Sequence, residues 1–360
     1  MDRPHLVYKW LMVSLRHRER NRALVSSLVV TIACALPVFL IGSLAVQMQA
    51  DLGFGDASLG VAVGVYYGAG ALLSSRAGRI VEHLGARRSL WIATLIVAGG
   101  QIAVAVFVQS VAGLIAAMAV AGVASAWSQP ASNVFLLGRV PHHRLGLVFG
   151  IQKSALPAAA LLGGLAVPSF QAIGWRWAFA AGAAFAVLST LTLPPGDDRR
   201  PRPASRSDVA RPDVAVAALA VLAVGVGLGS AAGNALTAFL VRGGVEAGLS
   251  ENSAAVMLIV GSVLGIFVRL LFGARADRDP VRTLPFIASL FVAASVAFAL
   301  LATEAAVVFV FTVPFAFATA YAWPGLFHLA VVRANPSAPG TATGIAMTGT
   351  LAGAVCGPLG

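Results

Sequence analysis

A chain of 360 residues could hold two or three water-soluble domains, but 58% of this one is hydrophobic, only 11% is charged, and its mean hydropathy is +0.86. A soluble surface of that size needs roughly a quarter of its residues charged, so most of this exterior must face lipid. Two cysteines, Cys34 and Cys356, and six scattered histidines form no disulfide framework, HExxH pair, P-loop or GxSxG elbow. No enzyme, metal site or cofactor is therefore expected.

Apolar windows of about 20 residues predict helical spans at 23–47, 58–75, 89–109, 112–138, 145–169, 177–193, 213–240, 252–272, 283–302, 305–332 and 341–360. The segments are too long and too uniformly apolar for strands of a membrane barrel, so the predicted fold is all-α and integral to the membrane. The first apolar run lacks a small-residue cleavage site, which argues against a removable signal peptide. If the spans alternate, 22 of the 25 basic residues fall on one side, among them Arg76, Arg79, Arg87 and Arg88 after the second span and Arg269, Arg275, Arg278 and Arg282 after the eighth. Arg176 and Arg242 fall on the other side. The positive-inside rule then makes the N-terminus cytoplasmic and the protein a multi-pass component of the cytoplasmic (inner) membrane. The net charge of +11 follows from this topology, and no nucleic-acid partner is invoked.

The sequence also repeats. Gly78 and Glu82 recur as Gly273 and Asp277, and at a nearly constant offset Pro130 matches Pro324, Arg139 matches Arg333, Gly146 matches Gly340, Gly150-Ile151 matches Gly344-Ile345, and Gly163 matches Gly357. The pattern predicts two six-helix repeats: an N-terminal bundle over 1–194, a proline-bearing cytoplasmic linker over 195–212, and a C-terminal bundle over 213–360. The offset places the partner of the sixth span near 371–387, so eleven of an expected twelve helices are predicted within these residues, with the C-terminal bundle expected to stop short of the twelfth. Parallel six-helix repeats hold substrate near the midplane between them.

The stretch Gly78-Arg79-Ile80-Val81-Glu82-His83-Leu84-Gly85-Ala86-Arg87-Arg88 resembles the GxLaDRxGRR signature of the major facilitator superfamily, with Glu82 at the usual aspartate. Gly174-Trp175-Arg176-Trp177-Ala178-Phe179 is similar to the start of that family's sixth helix, and the Gly146–Gly164 region, with Pro157, to its glycine- and proline-rich fifth helix. The glycines near the fifth helix also resemble, loosely, the cyanate permease branch. The resemblance covers nearly the whole chain and implies an alternating-access carrier without cofactor, with a small-molecule substrate, the lipid bilayer as surroundings and a monomer as the expected state. It also implies that Gly78, Glu82, Gly85, Arg87, Arg88, Gly273, Asp277 and Arg278 form gating loops. In that reading Glu82 would meet the N-terminus of the eleventh helix, whose dipole favours an acid; a plain charged turn is the alternative. Met118 stands where antiporters of the family carry arginine ahead of Gly122, which weakens a likeness to proton-coupled drug exporters.

Lys153, one of two lysines, lies eight residues into the fifth span, roughly 12 Å deep at 1.5 Å per residue. At that depth a charge facing lipid costs several kcal/mol, so it either anchors an anionic substrate group or snorkels toward the surface. In the fourth span Ser125, Ser128, Gln129, Ser132 and Asn133 share one helix face, lining a cavity or bonding neighbouring helices. Trp127, Tyr66, Tyr67 and Asn234 are further substrate-binding candidates, and His328 is expected to be interfacial. No Asp or Glu lies well inside a predicted span. The expected function is transport of a small solute, anionic where Lys153 serves as an anchor, with efflux of lipophilic drugs or a transporter-like sensor as alternatives. The coupling ion is not readable from the residues.

Overall fold

A computed structural model of the chain describes residues 3–137, 145–194, 213–276, 283–335 and 339–357. The described residues form fourteen α-helices and no strand. The first crossing is α1 (Arg3–Ser43) with the short α2 (Ala45–Leu52), followed by α3 (Asp56–Leu84), α4 (Ala86–Phe107) and α5 (Val111–Leu137). The fifth crossing is split into α6 (Leu145–Lys153) and α7 (Ala155–Phe170), and α8 (Trp175–Ser189) is the sixth. In the second set stand α9 (Val216–Glu246), α10 (Glu251–Ala276), α11 (Thr283–Leu301), the split pair α12 (Ala306–Ala320) and α13 (Trp323–Ala334), and α14 (Pro339–Cys356). The predicted linker over 195–212 lies outside the described residues.

Nine stretches among the described residues are long and apolar enough to cross a membrane. The other two expected crossings are α8, which has 15 residues, and α14, whose glycines and threonines dilute its hydropathy. Backbone groups in a bilayer must be bonded within the segment, and a helix does this locally. The side chains left outside are apolar: Leu191, Val221, Leu228 and Phe311 are among the most exposed large residues. Lipid, rather than water, is the medium such a surface fits.

The helices pair in the same way in both sets. α1 packs on α7 as α9 packs on α14, α3 on α5 as α10 on α12, and α4 on α5 as α11 on α12. The matched glycines account for part of this correspondence. A Cβ at Gly163 would lie 2.9 Å from the Phe39 carbonyl oxygen of α1, and one at Gly357 only 2.2 Å from the Ala231 carbonyl oxygen of α9. Each is a point where two backbones touch, and only hydrogen leaves room there. The two sets meet where α6 and α7 lie on α10, α1 on α9, α3 on α14 and α6 on α13.

Two glycines of the family-like motifs are fixed by backbone geometry. Gly85 ends α3 at φ 88°, ψ 151°, and Gly174 precedes α8 at φ 99°, ψ 147°; this region is essentially restricted to glycine. Gly85→Ala is expected to destabilise the protein by about 1–3 kcal/mol. A lowered thermal midpoint in detergent checks it. Gly55→Ala, at φ −98° with nothing within 4 Å, serves as the neutral control.

Candidate substrate site

Two expected single spans are interrupted, and the interruptions face each other. In the fifth crossing α6 ends at Lys153 and α7 begins at Ala155; Ser154 between them keeps a helical conformation and still donates to the Gly150 carbonyl at 3.1 Å. Pro157 follows three residues later; lacking an N–H, it cannot bond the carbonyl four residues back, which is that of Lys153. In the tenth crossing α12 ends at Tyr321 and α13 begins at Trp323 with Pro324 in its first turn. The Tyr321 carbonyl is therefore one of the acceptors orphaned at a helix end.

Arg269 serves both carbonyls. Its Nε donates to the Tyr321 oxygen and its Nη1 to the Lys153 oxygen. Its guanidinium also stands 5.2 Å from the centre of the Tyr321 ring, within cation–π range. The loop position expected for Arg269 is thus corrected: it lies inside α10, only 5% exposed. Seven residues separate it from the end of α10, about 10 Å of helix, which puts it at the depth of Lys153 rather than at the surface.

Lys153 itself is half-buried on α6, against α10 and α13, with its charge in electrostatic range of Arg269 and His328. Among the described residues the ion pairs join Arg176 to Asp51 and Arg242 to Asp56 and Glu246, and neither Lys153 nor Arg269 pairs with a carboxylate. Two cations from opposite halves therefore stand together in a low-dielectric junction, an arrangement whose natural complement is an anion.

Lys153 is aimed at this junction by its neighbour Gln152, which the sequence reading passed over. Ser27 Oγ donates to Gln152 Oε1 at 2.8 Å and Gln152 Nε2 donates to Thr31 Oγ1 at 3.2 Å. Thr31 Oγ1 spends its proton on the Ser27 carbonyl at 2.7 Å, so Ser132 Oγ must donate to it at 3.1 Å. All four side chains are buried. The network fixes the rotation of α6 toward α1 and α5, and the next residue along a helix then points about a quarter-turn away.

The other candidates divide. Ser128 and Ser132 are fully buried against α1, and Ser125 lies within reach of the Tyr66 phenol. These members of the stripe fasten helices. Tyr66 is likewise internal to the first bundle, donating to the Cys34 carbonyl at 3.1 Å. Gln129 is half-buried, and the side chain of Asn133 lies outside the description. Tyr67 meets Tyr66 edge-on at 5.0 Å and comes into range of Tyr321 in the other half. Tyr321 Oη donates to the Gly233 carbonyl at 3.2 Å, one residue from Asn234, whose amide turns back to Ser230 at 2.8 Å. The Trp127 indole N–H is enclosed without an acceptor. Tyr67, Tyr321 and Asn234 thus border the junction that Lys153 and Arg269 occupy.

Of the expected gating residues, Gly78 and Glu82 lie in the last turns of α3 with their side chains outside the description, while Arg87 and Arg88 lie in the first turn of α4. Gly273 is buried in α10; Asp277 and Arg278 are outside the described residues. Arg333 Nη1 donates to the Ala276 carbonyl at 2.8 Å, a cation at the negative end of α10. At the arginine-poor end the halves are joined by Gln47 Nε2 donating to Glu251 at 2.9 Å and by Arg242 with Asp56 at 3.5 Å, while Arg242 also pairs within α9 with Glu246 at 3.0 Å. Arg176 pairs with Asp51 at 3.7 Å, and Trp175 Nε1 donates to the same carboxylate at 3.1 Å. Both arginines on this face are thereby matched by acids.

The chain is similar to known transporters. Two proteins of Agrobacterium vitis, each named "Putative tartrate transporter", are 30% and 27% identical over 156 residues, 41% of this chain; the matches cover 36% and 34% of those proteins, so the chain spans about a third of the length of the curated relatives it matches. In fold it resembles the nucleoside transporter NupG, with a TM-score of 0.72 at 17% identity over 95% of this chain and 90% of that one. It also resembles an inward-facing, occupied bacterial homologue of the human lysosomal transporter Spinster, with a TM-score of 0.68 at 17% identity over 94% and 80%. The sequence profile of the Major Facilitator Superfamily matches residues 27–358. With its helices paired in two matching sets around an interrupted junction and its outer surface apolar, the chain belongs to the Major Facilitator Superfamily and is a multi-pass membrane protein.

Proposed function

We propose that this carrier moves a small organic anion across the cytoplasmic membrane by alternating access, held between Lys153 of one half and Arg269 of the other. The observation that carries the reading is the pairing of the buried Arg269 with the half-buried Lys153, neither with a carboxylate partner among the described residues. An anion bridging them exchanges hydration for two charge-assisted contacts in a low dielectric, and it cancels the repulsion between the two side chains. Tyr67, Trp127 and Asn234 supply neutral donors around it. In this reading the N-terminus is cytoplasmic, and Glu82 and Asp277 serve the inner gates. The packing of α3 on α14 supports the Glu82 arm.

The names of the Agrobacterium vitis relatives make tartrate the first probe. Purified protein in liposomes is expected to take up labelled L-tartrate, with succinate and malate competing and neutral sugars without effect. Saturable movement of a nucleoside or a lipophilic dye, with no carboxylate of the panel taken up, would replace this reading by a carrier of neutral or apolar solutes.

A further inference from the structure

The two carbonyls that Arg269 serves belong to opposite halves, and each is free for a covalent reason. The Lys153 oxygen has lost its helical donor to Pro157, and the Tyr321 oxygen lies at the end of α12. The chain approaches closely on either side of these bonds. A Cβ at Gly150 would stand 3.2 Å from the Arg269 oxygen, and one at Gly265 would touch both Pro157 at 3.6 Å and Tyr321 at 3.5 Å. One turn of α10 thus lies against both interrupted crossings. In this region the hydrogen bond from Arg269 to the Lys153 carbonyl crosses directly between the halves.

We propose that Arg269 is a substrate-released latch between the halves. In the empty carrier its Nη1 ties α10 to the proline-freed carbonyl of α6. When an anion arrives, a carboxylate takes the Nη1–Nη2 edge of the guanidinium end-on. A carboxylate is an ionised acceptor and binds such a donor roughly twice as strongly as a neutral carbonyl, so the backbone bond is given up. The direct tie is then replaced by one that runs from Lys153 Nζ through the substrate to Arg269. This rests on the anionic reading for the release step alone. The tie itself depends only on Arg269 and Pro157.

The test uses the full chain with spin labels at Leu147→Cys on α6 and Leu271→Cys on α10, both exposed positions, in a Cys34→Ala, Cys356→Ser background. In liposomes without ligand, Arg269→Gln and Pro157→Ala are each expected to shift the label separation to longer distances than in the parent. Pro157→Ala does so by returning an N–H to the Lys153 carbonyl. Saturating L-tartrate is expected to produce the same shift in the parent and no further shift in Arg269→Gln. Ligand-free distributions identical to the parent in both variants would overturn the latch even if tartrate binding were intact. Tartrate binding to the parent, seen by scintillation proximity, without a shift would overturn its release. If no dicarboxylate bound the parent while both variants still lengthened the separation, the latch would stand and the anionic substrate would fall. Because Pro157→Ala only completes a helix, the result does not hinge on the folding of Arg269→Gln.

Discussion

Lys153→Ala is expected to abolish uptake while leaving the folded protein intact. Truncating one member of a buried, hydrogen-bonded charge pair costs about 2–5 kcal/mol of binding, or roughly 30- to 4,000-fold in affinity. The loss falls on the loaded carrier only. In the empty carrier Lys153 stands beside the like charge of Arg269, so removing it relieves repulsion, and the thermal midpoint of the variant should equal or exceed that of the parent. The repeat supports this separation, because the position matching Lys153 is Met347 and the architecture does not need a lysine there. Lys153→Arg keeps the charge but replaces a flexible point donor with a planar fork, and partial uptake with altered competition among carboxylates is expected. Liposome uptake measured beside thermal unfolding checks both halves of the prediction. Full transport by Lys153→Ala would remove the anion argument.

Gly349→Ala is expected to have the largest effect on stability. Its Cβ would sit 1.8 Å from the Ala223 carbonyl oxygen, and the same substitution at Gly353 would sit 1.8 Å from that of Gly227. The obstacle is backbone on α9, so no side-chain rotation can relieve it, and α14 must move outward along its length. Overpacking of this kind costs about 1–3 kcal/mol or more, and the loss of close contact removes the dispersion that binds helices in lipid. The double variant should be less than additive, since one displacement of α14 relieves both clashes. Size-exclusion profiles and unfolding midpoints are the measurements. Gly225→Ala on α9, where nothing lies within 4 Å, should be neutral or slightly stabilising.

The helical spans were legible because lipid imposes a length and a composition on every crossing, and the observed helices lie where the apolar runs predict them. The interruptions at Ser154 and Tyr321 were not, because a proline inside an apolar run bends some helices and breaks others. Lys153 stood out as a lone charge at depth. Arg269 did not, because other arginines follow it closely and it reads as the first of a loop cluster until the extent of α10 is known. Gln152 gave the signal that Lys153 gave, a polar group that lipid cannot satisfy, and could have been found by the same argument. The serine stripe of α5 was legible as a stripe. Its periodicity did not say which neighbour it meets, and in the fold Ser128 and Ser132 meet α1.

Pro130 and Pro324 occupy matching positions in the two repeats, yet α5 runs unbroken through Pro130 from Val111 to Leu137 while the tenth crossing is severed three residues before Pro324. The reverse holds for Pro157, whose counterpart Leu351 lies within the continuous α14. Each set of helices therefore carries its joint in a different member. A pair of identical parallel copies would flex at the same crossing in each. Unequal joints remove that likeness, so any tilting of one set against the other would flex at the fifth crossing on one side of the seam and at the tenth on the other.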